Sequence, residues 1–111
     1  MSGDRVRALE ALRAKSPGDT RVLFALATEY EKTGDLERVV ALLTDYLALT
    51  DDQGNAWGRL GNALRRLGRL EEARSAWARG IEAARRHGHP SMAEEFEESM
   101  AELEGDRAGG T

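Results

Sequence analysis

Residues 55–77 read "NAWGRLGNALRRLGRLEEARSAW". Apolar residues recur at helical spacing, first Trp57, Leu60 and Leu64, then Leu70, Ala73 and Trp77, yet glycines stand at 58, 61 and 68. A glycine inside a helix costs about 1 kcal/mol relative to alanine. Gly68 falls where the period breaks and reads as the turn between two helices. Gly61 lies on the apolar stripe, where a missing side chain lets a partner helix approach closely. Trp57 and Trp77 can fill the space on either side, each burying roughly 150–250 Å². Gly58 lies off that stripe. It either makes room for the backbone of a ligand or lets a further helix close in.

Working outward, the same pattern occurs once before. A shift of 34 residues places Gly34 on Gly68, Leu23 on Trp57, Leu26 on Leu60, Ala27 on Gly61 and Tyr30 on Leu64. It also places Leu36 on Leu70, Val39 on Ala73 and Leu43 on Trp77. A period of this length is the mark of a helical repeat. The spacing predicts helices over about 20–33 and 36–49, then one that begins after "TDDQ" with Trp57 and ends at Gly68, and another from about Leu70 towards Arg86. The turns are "TGDL" and "LGRL", with Gly34 and Gly68 suited to the left-handed position after a helix.

Two further helices flank the repeats. Val6, Leu9 and Leu12 share one face of a helix over 4–16, stopped by "SPGD", where Asp19 can cap the next helix. Ala93, Phe96, Met100 and Leu103 mark a helix over 91–104 that opens after the stop pair Gly88 and Pro90. The chain is therefore expected to form a single all-α domain over 1–104, a right-handed α-α superhelix of antiparallel helix hairpins with six helices. Its parts are a half-repeat helix at 4–16, repeats at 20–53 and 54–87, and a C-terminal capping helix at 91–104. Residues 105–111, "GDRAGGT", read as a disordered tail.

These residues resemble the tetratricopeptide repeat (TPR) family. Its pattern is Trp, then Leu-Gly three and four residues on, a large apolar residue, a turn glycine, then Ala and a bulky apolar residue. Trp57, Leu60, Gly61, Leu64, Gly68, Ala73 and Trp77 follow it closely. Leu23, Leu26, Ala27, Tyr30, Gly34, Val39 and Leu43 follow it more loosely. Leu9, Leu12 and Pro17 extend the register backwards, and the whole chain is similar to small stand-alone bacterial two-repeat proteins of this kind.

The resemblance implies noncatalytic protein–protein interaction, with a peptide or helix held in a concave groove lined by the first helix of each repeat. By register the groove residues are Arg21, Phe24, Ala25, Thr28 and Glu31, with Asn55, Gly58, Arg59, Asn62, Arg65 and Arg66. Asn55, Arg59, Asn62 and Arg66 offer amide and guanidinium donors on one stripe, suited to a peptide backbone and a carboxylate. Phe24 and Thr28 stand where the family's carboxylate clamp has Lys and Asn, so that clamp is not expected. The stripe has a second account. Eight arginines between 59 and 86 precede seven acids and no base between Glu94 and Asp106, so Glu94, Glu95 or Glu98 can pair with Arg59 or Arg66. An alternative role is homo-oligomerisation without a peptide ligand, a homodimer forming through Val6 and Leu9, or through Val40 and Leu47.

Other classes find little footing. A net charge of −4 argues against nucleic acid as the partner. No apolar run approaches the roughly 18 residues of a membrane span, and no signal peptide opens the sequence, so a cytoplasmic location is expected. There are no cysteines. His87 and His89 form a lone H-x-H without a third metal ligand in reach. "GRLGNALRRLG" lacks the strand, lysine and hydroxyl of a phosphate loop, and "DDQGN" lacks the alternating acids of a calcium loop. Neither cofactor nor metal nor enzymatic activity is expected.

Overall fold

The computed structural model describes residues 2–109, with side chains described for residues 3–106. The helices are α1 (Ser2–Lys15), α2 (Thr20–Thr33), α3 (Leu36–Leu49), α4 (Asn55–Arg66), α5 (Leu70–Arg86) and α6 (Pro90–Gly109), with no strand among the described residues. The fold is the all-α, hairpin-based one expected. Internal contacts divide the chain into two compact units, Met1–Asp51 and Asp52–Thr111, close to the boundary between the two repeats.

The helix ends follow from local chemistry. Asp19 accepts a hydrogen bond from the Arg21 backbone N–H at 3.0 Å at the start of α2, and Asp35 does the same for Arg38 in α3 at 3.3 Å. Asp52 reaches forward to the Gly54 and Ala56 N–H groups, at 2.8 and 2.9 Å, at the start of α4. Such carboxylates satisfy donors that a helix cannot pair within itself. Three helices end alike, at Gly34, Gly68 and Gly88, with φ of 78°, 77° and 78°. In each the next N–H folds back onto the helix: Asp35 onto Tyr30, Arg69 onto Leu64 and His89 onto Ala84.

In the first unit α2 and α3 form an antiparallel hairpin around Leu23, Leu26, Ala27, Val39, Leu42 and Leu43, all buried. α1 lies against α2 and is held by polar ties. The Tyr30 hydroxyl donates to Glu10 at 2.7 Å, and the Arg5 Nε donates at 3.0 Å to Glu29, whose side chain is 4% exposed. Lys32 donates to the same Glu29 oxygen at 3.1 Å. The hydrogen bond from Lys32, and after it that from Arg5, outweigh desolvation and hold the Glu29 carboxyl below its ordinary range. Of the apolar face expected on α1, Val6 and Leu9 are half-buried while Leu12 is exposed.

In the second unit α4 and α5 form the equivalent hairpin and α6 packs on α5. Trp77 is 1% exposed, and a Cβ at Gly61 would fall 2.5 Å from its Nε1. The close approach predicted at Gly61 is thus made by Trp77. Trp57 is half-buried beneath the Arg79 guanidinium, 5.6 Å from its ring. α6 runs to Gly109 rather than ending at 104, so residues 105–109 of the expected tail are helical. Arg65 holds this last stretch through Asp106 at 2.7 Å and Glu102 at 3.1 Å. Residues 110 and 111 lie outside the described residues.

Candidate functional site

In the first unit Arg21, Phe24 and Ala25 come together with Thr20 and with Tyr46 of α3 around a cavity of about 290 Å³. The Phe24 and Tyr46 rings meet at 5.2 Å between centroids, tilted by 49°, a geometry aromatic pairs favour. Arg21 is exposed at the rim, bonded to Asp19 at 3.5 Å, and this lowers the Asp19 pKa. The Thr28 hydroxyl donates to the Phe24 carbonyl of its own helix at 3.0 Å. The site therefore offers two aromatic faces, a small floor at Ala25 and a guanidinium.

Tyr46 was absent from the sequence-derived site, although a signal for it existed. In an antiparallel hairpin turning at Asp35, residues whose numbers sum to 70 lie opposite each other. Ala27 opposes Leu43 in this way, and Phe24 opposes Tyr46. The same pairing shifted by 34 joins Gly61 to Trp77 and Gly58 to Gly80 in the second unit.

That last pair corrects one expectation. Gly58 was placed among the groove residues, but it is buried: a Cβ there would fall 2.5 Å from Phe96 Cε1, and one at Gly80 would fall 2.9 Å from Phe96 Cδ2. Two glycines where the first unit has two aromatics form a socket, and α6 fills it with Phe96. Gly58 lets the sixth helix close in. Around it, Asn55, Asn62 and Arg66 are exposed on α4 and Arg59 is half-buried. Acids of α6 pair with part of the arginine block, through Arg65 as above, Arg85–Glu97 at 3.0 Å and Arg74–Glu104 at 3.5 Å. Arg65, one of the groove residues expected from sequence, is thus engaged by α6.

No His, Asp or Glu cluster among the described residues could hold a metal ion. His89 Nε2 lies 2.7 Å from the Gln53 side-chain oxygen, tying the start of α6 to the segment before α4. Among the described residues no helix is long and apolar enough to cross a membrane.

The tetratricopeptide repeat profile matches residues 54–87, the stretch built on Gly61 and Trp77. A tetratricopeptide repeat domain protein from Salinibacter ruber, solved in solution, is 30% identical with a TM-score of 0.72, covering 81% of this chain and 91% of that one. The chain belongs to the tetratricopeptide repeat family. A protein of Bordetella parapertussis shares 25% identity over 93% of this chain and 90% of its own, with a TM-score of 0.76. A TPR repeat-containing protein of Pseudomonas aeruginosa is 28% identical over 99 residues, 89% of this chain and 94% of that protein. Tetratricopeptide repeats generally mediate protein–protein interaction.

Proposed function

We propose that this tetratricopeptide protein is a noncatalytic interaction module that holds an extended or helical segment of a protein partner. The receptor surface in the first unit is the Phe24–Tyr46 face with Arg21 at its rim, and the observation that carries the reading is the cavity between them. An aromatic or aliphatic side chain of the partner fits the cavity, and an acidic neighbour pairs with Arg21. In the second unit, taken by itself, the α4 stripe of Asn55, Arg59, Asn62 and Arg66 offers donors to a peptide backbone. Gly58 takes no part, because Phe96 covers it. The absence of a cofactor and a cytoplasmic location belong to the same proposal.

The test is selection of binding peptides from a random displayed library, followed by titration of the best binder into purified variants. Phe24→Ala should weaken binding roughly tenfold or more, the scale of one buried aromatic contact. Arg59→Glu/Asn62→Ala tests the second unit's stripe separately, with a peptide selected for that stripe. Unchanged affinity in Phe24→Ala would remove this face as the receptor.

A further inference from the structure

Shifted by 34 residues, α1 (Ser2–Lys15) coincides end for end with α3 (Leu36–Leu49), so it holds the place of a second helix. In both hairpins the second helix turns the same positions towards the first. In the first unit Leu43 opposes Ala27 and Tyr46 meets Phe24. In the second unit Trp77 lies under Gly61, and a Cβ at Gly54 would fall 3.3 Å from the Gly80 carbonyl oxygen and 3.4 Å from Ala84 Cβ. That cover leaves Leu43, Trp77, Gly80 and Ala84 buried. The same positions in and just after α1 are Leu9, Leu12 and Ser16. Among the described residues no first helix stands over them: Leu12 is 51% exposed, and Ser16 is exposed as well. Together with Val22 they line a cavity of about 500 Å³, with Lys15 and Arg21 at its edge.

We infer that this cleft seats an amphipathic α-helix of a partner protein, docked antiparallel to α1 in the place of a first helix. The cleft lies beside the Phe24–Tyr46 cavity, with Arg21 at the edge of both, but its wall is α1. The internal repeat specifies what the docking helix carries. Residues 20, 24 and 27 oppose 50, 46 and 43, so three positions of the docking helix, four and then three residues apart, oppose Ser16, Leu12 and Leu9. A stripe of this spacing is how an amphipathic helix fills a groove. Over Leu9 the fitting residue is alanine, because the chain matches leucine at 43 with Ala27 and keeps glycine for Trp77. Over the exposed Leu12 it is a larger apolar residue. Charge fixes the first turn. Asp19 pairs with Arg21, and Arg13 with Glu10 and Asp45, but Lys15 is exposed and has no ion-pair partner among the described residues. The position opposite Lys15 follows directly after the one over Ser16, in the first turn of the docking helix. An acid there meets Lys15 and is also favoured by the helix dipole.

The experiment is titration of the full 111-residue chain with a fluorescent peptide copying residues 20–33. This peptide offers Phe24 and Ala27 at the required spacing and carries Arg21→Glu. A side-chain staple holds it helical, because an isolated helix of this length is marginal in water. The peptide should bind, and Leu12→Glu in the protein should weaken binding roughly tenfold or more. Lys15→Glu should weaken this peptide about two- to fivefold and strengthen the unsubstituted Arg21 peptide by a similar factor. Both protein variants are at exposed positions, and circular dichroism checks that they fold. A peptide that does not bind, an unchanged affinity in Leu12→Glu, or an unreversed preference in Lys15→Glu each overturns the inference. So does a peptide-free chain that gains mass with concentration in sedimentation and loses that gain in Leu12→Glu, since the cleft then takes a second copy.

Discussion

The two hairpins solve one packing problem with opposite allocations of bulk. In the first unit the facing positions 27 and 43 hold Ala and Leu, while the next pair, 24 and 46, holds Phe and Tyr in ring contact. In the second unit the equivalent positions 61 and 77 hold Gly and Trp, and positions 58 and 80 hold two glycines under Phe96. Where the first unit supplies its own aromatics, the second borrows one from α6. The first unit therefore presents an aromatic surface around a cavity, and the second presents a sealed one. The family resemblance alone, which treats the repeats as equivalent, does not show this difference.

The comparison breaks most readily at Trp77. Trp77→Ala removes the largest fully buried side chain and leaves a void beneath Gly61 that neither helix can close. A loss of about 3–5 kcal/mol is expected from chemical denaturation. Near-wild-type stability would mean that α4 and α5 collapse onto each other and that the glycine seam is not a fixed spacing.

A smaller effect sharpens the comparison because its sign reverses. Gly61→Ala gains about 1 kcal/mol of helix propensity, but its Cβ would lie 2.5 Å from Trp77 Nε1, and such overpacking typically costs about 1–3 kcal/mol. The single variant should be destabilised. In a Trp77→Leu background, which recreates the Ala27–Leu43 pair, the same substitution should stabilise. Additive effects in this double-mutant cycle would show that the two residues do not share one space.

The sequence made Gly61 legible because its partner, Trp77, stands on the second helix of the same 34-residue repeat. Gly58 resisted reading because its partner, Phe96, lies on a helix outside that register, and periodicity carries no information about how far α6 leans in. Tyr46 is recoverable from hairpin symmetry but lies on the second helix of its repeat, outside the first-helix faces that the resemblance assigns to the groove. The end of α6 misled for a compositional reason: "GDRAGG" suggests a loose tail, whereas the Arg65 ion pairs with Glu102 and Asp106 tie its first part to the helix. Most of the fold was thus written in local spacing. The candidate site was written only in part, because it depends on which repeat position an aromatic occupies and on what covers it.

A last contrast concerns charge. The first unit docks α1 through Glu29, buried between Arg5 and Lys32, and caps two helices with Asp19 and Asp35. In all three carboxylates hydrogen bonds to cationic neighbours hold the pKa below its ordinary value, 4.5 for Glu29 and 3.8 for the aspartates. A carboxylate depressed in the folded state stabilises fully above its unfolded pKa. That contribution is lost as the pH falls through the folded value. Stability should therefore hold from neutrality to about pH 5 and decline below it. Glu29→Gln should flatten the part of that decline due to Glu29, and it should release α1 first, because the group that orients Arg5 is then neutral. Hydrogen exchange of α1 amides at neutral pH and at pH 4 reads this directly. Faster exchange in α1 than in α2 and α3 on acidification is expected. Equal protection of the three helices at both pH values would show that Glu29 does not govern the docking.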